Sequence, residues 1–243
     1  PKHWEEDGKY ANVYAFINYL SSSLPEKNLT VVSNGSACVV GSHNYVIQKD
    51  ARFIINSAIA SMGYGLPAAI GACVANDCKD TICIEGDGSI MMNLQELQTV
   101  LTNKLPIKLF LINNEGYHSI RQTQKNFFGE PLIGIGVDSG DLGFPSMEKL
   151  AWAYGFPYVS IHGNKELGEK VEETLAMDGP VICEKICPII NIDKLKHNDL
   201  SEPKVFGGYN KDIVIRFDST SGGIFTLLAQ AMYKQKGYVS GAI

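Results

Sequence analysis

Two short polar clusters carry residue types suited to metal and phosphate chemistry, Gly86-Asp87-Gly88-Ser89 and Asn113-Asn114-Glu115-Gly116. Asp87 offers a hard carboxylate oxygen and Asn114 a neutral amide oxygen. Gly116, two residues further on, lacks a Cβ and can turn a bare backbone carbonyl to the same point. Three protein oxygens, with room left for others, suit octahedral Mg²⁺ better than zinc or iron. Gly86 and Gly88 let the backbone come close to a diphosphate, and Ser89 can donate from its amide or hydroxyl.

Each cluster needs an element to aim it, and each follows a short apolar run. Thr81-Ile82-Cys83-Ile84 precedes the first, and Ile107-Lys108-Leu109-Phe110-Leu111-Ile112 precedes the second. Both runs are rich in β-branched residues and bounded by turn formers, so each reads as a buried strand. Between them Leu94, Leu97, Val100 and Leu101 recur at helical spacing, with Asn93 and Glu96 placed as a capping pair. The β-α-β unit sets both clusters at the carboxyl ends of their strands, the ligand-binding edge of an open parallel sheet.

Gly86-Asp87-Gly88, then 24 residues, then Asn113-Asn114 resembles the thiamin diphosphate fingerprint of the thiamin-dependent enzymes. The resemblance implies that Asp87, Asn114 and the Gly116 carbonyl hold Mg²⁺ on the cofactor's diphosphate. A second segment, Ser61 through Gly71, resembles the stretch beneath the thiamin rings in acetolactate synthase-like members. By that resemblance Met62 wedges the cofactor into a bent shape and acts in catalysis, while the Ala60 carbonyl and the Met62 amide bond the aminopyrimidine. Tyr117 through Gln124, then Asn126-Phe127-Phe128-Gly129, resembles the active-site loop of the same group. Tyr117 then borders the cofactor, and His118 is a candidate for proton transfer, since histidine titrates near neutrality. Arg121 suits either a contact to a substrate carboxylate or phosphate, or a solvated surface charge. Asn34-Gly35-Ser36, after the apolar Leu29–Val32, either meets the cofactor or is a plain turn.

The chemistry implied is that of a 2-oxo acid decarboxylase or carboligase: attack by the cofactor's carbanion on a 2-oxo acid, loss of CO₂, and transfer of the acyl unit to an acceptor. The resemblance also implies a pyrimidine-binding domain, from a missing N-terminal region or a second chain, and a homodimer or tetramer. Acetolactate synthases proper usually carry Gly-Gln-His where Asn34-Gly35-Ser36-Ala37 stands here, which widens the expected substrate to pyruvate or another 2-oxo acid. Two rival readings are a β subunit of a 2-oxo acid:ferredoxin oxidoreductase and a non-catalytic assembly module. In the first, Cys183 and Cys187 would help an iron–sulfur site.

Further along, helical spacing over Tyr10–Leu24, a strand at 52–55 and a helix from Leu66 with Pro67 in its first turn lead to the central unit. Ser146 is placed to cap a helix carrying Met147, Leu150, Ala151 and Tyr154, followed by a strand at 158–161, a helix at 165–175 and a last strand at 181–184. The alternation predicts an α/β fold over residues 1–190, a doubly wound, mainly parallel sheet of about six strands with helices on both faces. Residues 191–243 read as a linker and a partial module, whose Ser221-Gly222-Gly223 segment resembles the start of the β-subunit family of deazaflavin-reducing hydrogenases and dehydrogenases. Cys183-x3-Cys187-Pro188 matches the end of a ferredoxin cluster run, but Pro180 and Met177 stand where earlier cysteines would be.

Composition narrows the classes. The net charge of −5 offers no basic footprint for nucleic acid, and no apolar run approaches the roughly 20 residues of a membrane span. Six scattered cysteines suit reduced thiols in the cytoplasm. The charged fraction of 19% falls below the roughly 25% of an ordinary soluble domain, as expected of a chain that buries much of itself. Beginning at Pro1, the sequence is expected to be a fragment at both ends.

Overall fold

The computed structural model describes residues 11–186. The expectations for Cys187, for a domain boundary at 190 and for the segment 191–243 lie outside the described residues. Six strands form one parallel sheet: β1 (Leu29–Val32), β2 (Arg52–Ile55), β3 (Thr81–Gly86), β4 (Ile107–Asn113), β5 (Tyr158–Ile161) and β6 (Val181–Ile186). Their order is β2-β1-β3-β4-β6-β5. The chain winds outward from β1 to β2, then returns to place β3 on the other side of β1. That reversal opens a crevice at the carboxyl ends of β1 and β3, where ligands bind in sheets of this kind.

Strand side chains alternate between the two faces, so each face carries its own core. On one face Phe110 and Ile112 of β4 pack with Val32, Ile82, Ile84 and Val181 under helices α1 (Val13–Ser23), α2 (Gly35–Asn44) and α8 (Leu167–Ala176). On the other, Ile107, Leu109 and Leu111 pack with Val31, Cys83 and Ile182 under α3 (Gly65–Ala75), α5 (Glu96–Thr102) and α7 (Met147–Tyr154). Lys108, which alternates onto the first face with Phe110 and Ile112, is buried and donates to the carbonyls of Met177 and Gly179 (2.7 Å to the latter). The doubly wound arrangement expected from the sequence is the one observed.

Ser146 caps α7 as expected, its Oγ accepting from Lys149 N, and at the start of α1 the Asn12 side chain accepts from Tyr14 N and Ala15 N. Gly155, at φ +85°, ends α7 in the left-handed conformation that glycine adopts without strain. Three helices were not anticipated: α2, the single turn α4 (Asp87–Ile90) and α6 (His118–Phe127). Their sequences are short in apolar residues at helical spacing, and in α6 the apolar Ile120 and Phe127 are exposed while the buried residue is Arg121.

The expected capping pair is a correction. Helix α5 begins at Glu96 itself, and the Asn93 amide donates to the Gly63 carbonyl at 2.7 Å instead. A long-range bond to another loop outcompeted the local cap, and it ties the strand-end turn to the segment carrying Met62.

Candidate functional site

Three strand ends meet at the crevice. After β1 come Asn34, Gly35 and Ser36, after β3 the turn α4 with Asp87, and after β4 the turn Asn114-Glu115-Gly116. Asp87 Oδ2 accepts the Gly116 N–H at 2.9 Å. The Asn114 amide turns one end to Ser36 Oγ at 3.2 Å. Its other end lies 3.3 Å from Asp87 Oδ1 and 2.7 Å from the Gly116 carbonyl oxygen. Both inner neighbours are acceptors. With its nitrogen inward the amide donates to them; with its oxygen inward, three oxygens converge. The separations match the edge of about 3.0 Å expected between ligands of an octahedral cation held at about 2.1 Å. The donor set therefore fits a hard divalent cation.

Asp87 is buried, and desolvation pushes its carboxyl up from the ordinary 3.8 to about 6, against hydrogen bonds from the amides of Gly116, Gly88 and Asn114. A buried carboxylate that gains so little from its own fold is suited to a cation that restores the lost solvation. Beside it Glu85 is fully buried with Oε2 unbonded among the described residues, and burial raises its carboxyl as well.

The thirteen residues expected to touch cofactor, cation or substrate by the thiamin-type resemblance, Arg121 apart, border one cavity of about 260 Å³, joined by Ser119 and Ile120. Met62 is half-exposed on its wall. Ala60, at φ +54°, has its carbonyl turned to the Asn34 side chain, which donates to it at 3.2 Å. One lone pair of that carbonyl is therefore engaged within the chain. Ser89 Oγ faces inward rather than into the cavity mouth: it accepts from Gly63 N at 2.9 Å and lies 3.2 Å from Ser33 Oγ. Gly88 is required by packing, because a Cβ there would lie 2.7 Å from the Tyr117 ring, itself edge-on to Phe144.

His118, first residue of α6, lines the cavity with its Nδ1 buried and unbonded. Desolvation, and next the Arg121 charge, lower its pKa, so the imidazole is neutral near pH 7.

Arg121 corrects both expectations held for it. Its side chain is fully buried, so it is neither a solvated charge nor open to a ligand. It pairs with Asp138, Nε to Oδ2 at 2.9 Å and Nη2 to Oδ1 at 3.0 Å. Cys183 also departs from its reading as a cluster ligand, since it sits in the apolar core and burial pushes its thiol up to about 12. A thiolate, the form that binds iron, is disfavoured there.

Residues that sequence reasoning passed over hold the turn from behind. Asn113 Nδ2 donates to Glu184 Oε1 at 2.6 Å, and Asn113 Oδ1 accepts from Glu115 N at 3.0 Å. Tyr158 donates to the other oxygen of Glu184. Glu184 and Tyr158 lie far along the chain, on β6 and β5, and no local pattern marks them.

Fold and site together define a domain that sets an oxygen cluster suited to a hard cation beside a cavity at the sheet's carboxyl edge. Residues 33–185, more than half of the chain, match the family described as thiamine pyrophosphate enzyme, C-terminal TPP binding domain. The chain belongs to that family, and the resemblance read from the fingerprint residues is borne out.

Among curated relatives it is 32% identical over 199 residues to acetolactate synthase 3, chloroplastic, of Brassica napus, covering 77% of this chain and 28% of the relative. It is 34% identical over 173 residues to the acetolactate synthase large subunit of Porphyra purpurea, covering 67% and 29%. With that of Cyanidium caldarium it shares 36% identity over 152 residues, covering 60% and 26%. The chain thus spans under a third of the length of these relatives. The matching segment is the C-terminal domain of larger enzymes with further domains.

Proposed function

We propose that this chain is the thiamin diphosphate- and Mg²⁺-holding part of an acetolactate synthase-like 2-oxo acid decarboxylase or carboligase. The observation that carries the reading is the convergence of Asp87 Oδ1 and the Gly116 carbonyl on the inner end of the Asn114 amide, at 3.3 and 2.7 Å. The cofactor, when bound, supplies the carbon nucleophile for decarboxylation. The chain's own residues do the rest. Asp87, Asn114 and Gly116 would hold the cation, and Gly86, Gly88 and Ser89 form the wall a diphosphate would approach.

Asn34 positions the Ala60 carbonyl. Met62 offers its half-exposed apolar surface to the rings and to whatever domain closes over them. The neutral His118, which lines the cavity, is the candidate for proton transfer there. A pyrimidine-binding domain, in a homo-oligomer, completes the site, and a 2-oxo acid is the donor substrate.

Calorimetric titration of thiamin diphosphate with Mg²⁺ into the chain and into Asp87→Ala tests this. Mg²⁺-dependent binding that is lost in the variant is the expected result. No binding to the unaltered chain, even with a pyrimidine-binding domain of an acetolactate synthase added, overturns it.

A further inference from the structure

A fully buried guanidinium is costly unless each face of it is matched. Arg121 makes four bonds: two to the Asp138 carboxylate, one from Nη2 to the Glu115 carbonyl at 3.0 Å, and one from Nη1 to the Asn114 carbonyl at 3.3 Å. The two carbonyls belong to the turn that presents the candidate cation ligands. No bond of Arg121 reaches into the cavity.

The Glu115–Gly116 peptide explains what this grip does. A trans peptide is planar, with its C=O and N–H on opposite sides. Its C=O rests on Arg121 at 3.0 Å, and its N–H rests on Asp87 Oδ2 at 2.9 Å. One rigid plane therefore connects the guanidinium to the carboxylate of the cation site. Glu115 holds φ +58°, a left-handed conformation that a residue with a Cβ keeps only when its neighbours enforce it.

The second support is the segment 135–139. Tyr117 N donates to the Ile135 carbonyl at 2.7 Å, and Gly116 pairs antiparallel with Gly136. A Cβ on Gly116 would collide with the Ile135 carbonyl, and a Cβ on Gly136 would collide with the Glu115 carbonyl and stand 3.0 Å from Arg121 Nη2. Two glycines thus let the backbones touch. The 3-10 turn Val137–Ser139 then carries Asp138 back to Arg121.

We propose that Arg121 and Asp138 are a positioning pair that aims the Gly116 carbonyl and the Asn114 side chain at the cation of the bound cofactor. The inference rests on the reading of Asp87, Asn114 and Gly116 as the cation site. Supporting partners of metal ligands, though they never touch the metal, commonly set affinity by 10- to 100-fold.

The test is a Mn²⁺ titration of the full 243-residue chain with thiamin diphosphate present, followed by the electron paramagnetic resonance of free and bound Mn²⁺. Circular dichroism and urea unfolding are recorded in parallel. Asp138→Asn leaves the guanidinium buried and unpaired, so it loses stability as well as affinity. The Arg121→Met/Asp138→Asn double variant removes both charges and restores a stable fold. A purely structural pair predicts that the double variant also regains the unaltered affinity. The positioning pair predicts that the folded double variant stays about tenfold or more weaker for Mn²⁺. Equal Mn²⁺ affinity in the double variant and the unaltered chain overturns the positioning role and leaves the site reading intact. Absence of Mn²⁺ uptake by the unaltered chain, even with a pyrimidine-binding domain of an acetolactate synthase added, overturns the site reading, and the proposal with it.

Discussion

Replacing Asp87 by Asn should stabilise the cation-free protein while removing its capacity to bind the cofactor. The magnitude follows from the carboxyl's position. Burial raises Asp87 from 3.8 to about 6. An acid whose folded value lies above its unfolded value costs stability once it must ionise. The loss begins as pH rises through the unfolded value and is complete above the folded one. The step from 3.8 to about 6 corresponds to about 3 kcal/mol at pH 7.5 and about 1 kcal/mol at pH 4.5, at 1.36 kcal/mol per tenfold change in proton affinity.

The amide of Asp87→Asn has the same shape and carries no charge. Its oxygen can keep the Gly116 N–H, and its nitrogen can face the Asn114 end 3.3 Å away. Urea unfolding in EDTA should therefore show the variant about 3 kcal/mol more stable at pH 7.5, with a melting point roughly 6–12 °C higher, and the gain should shrink to about 1 kcal/mol at pH 4.5. Calorimetry with Mg²⁺ and thiamin diphosphate should show no binding. A variant no more stable than the unaltered chain at pH 7.5 would refute the argument from burial.

Three further outcomes follow from the geometry. Gly88→Ala places a Cβ 2.7 Å from the Tyr117 ring; it should cost about 1–3 kcal/mol by urea unfolding and weaken Mg²⁺-dependent cofactor binding. His118→Gln, measured in the complete enzyme, should lower kcat by about 10²-fold or more with the cofactor Kd unchanged, because the imidazole borders the cavity and holds no structural bond through Nδ1. A thiol reagent on the native chain should modify the exposed Cys78 rapidly. It should reach Cys83 and Cys183 only in denaturant, since both are fully buried with thiols pushed up by desolvation.

The sequence by itself determined the sheet and the meeting of the candidate ligands at its edge, because both are written locally. Short β-branched runs alternate with helical periodicity, and the turn residues that follow β1, β3 and β4 sit beside their strands in the chain. Once the strands are parallel and ordered, the strand ends must meet, so Asp87, Asn114 and Gly116 needed no long-range information beyond the topology. Helices α2 and α6 escaped because their sequences lack an apolar stripe, and tertiary packing rather than periodicity makes them helical.

Only the tertiary structure decided the roles of the supporting residues. Asn93 has a local capping partner three residues away, yet it bonds Gly63, thirty residues back, because the α4 turn brings it there. Arg121 has no sequence mark that separates a surface charge from a buried clamp. Its partner Asp138 lies seventeen residues on, past a glycine that allows two backbones to touch. A charged side chain is read from sequence as exposed because burying it is costly, and the offsetting bonds come from segments that only folding brings together.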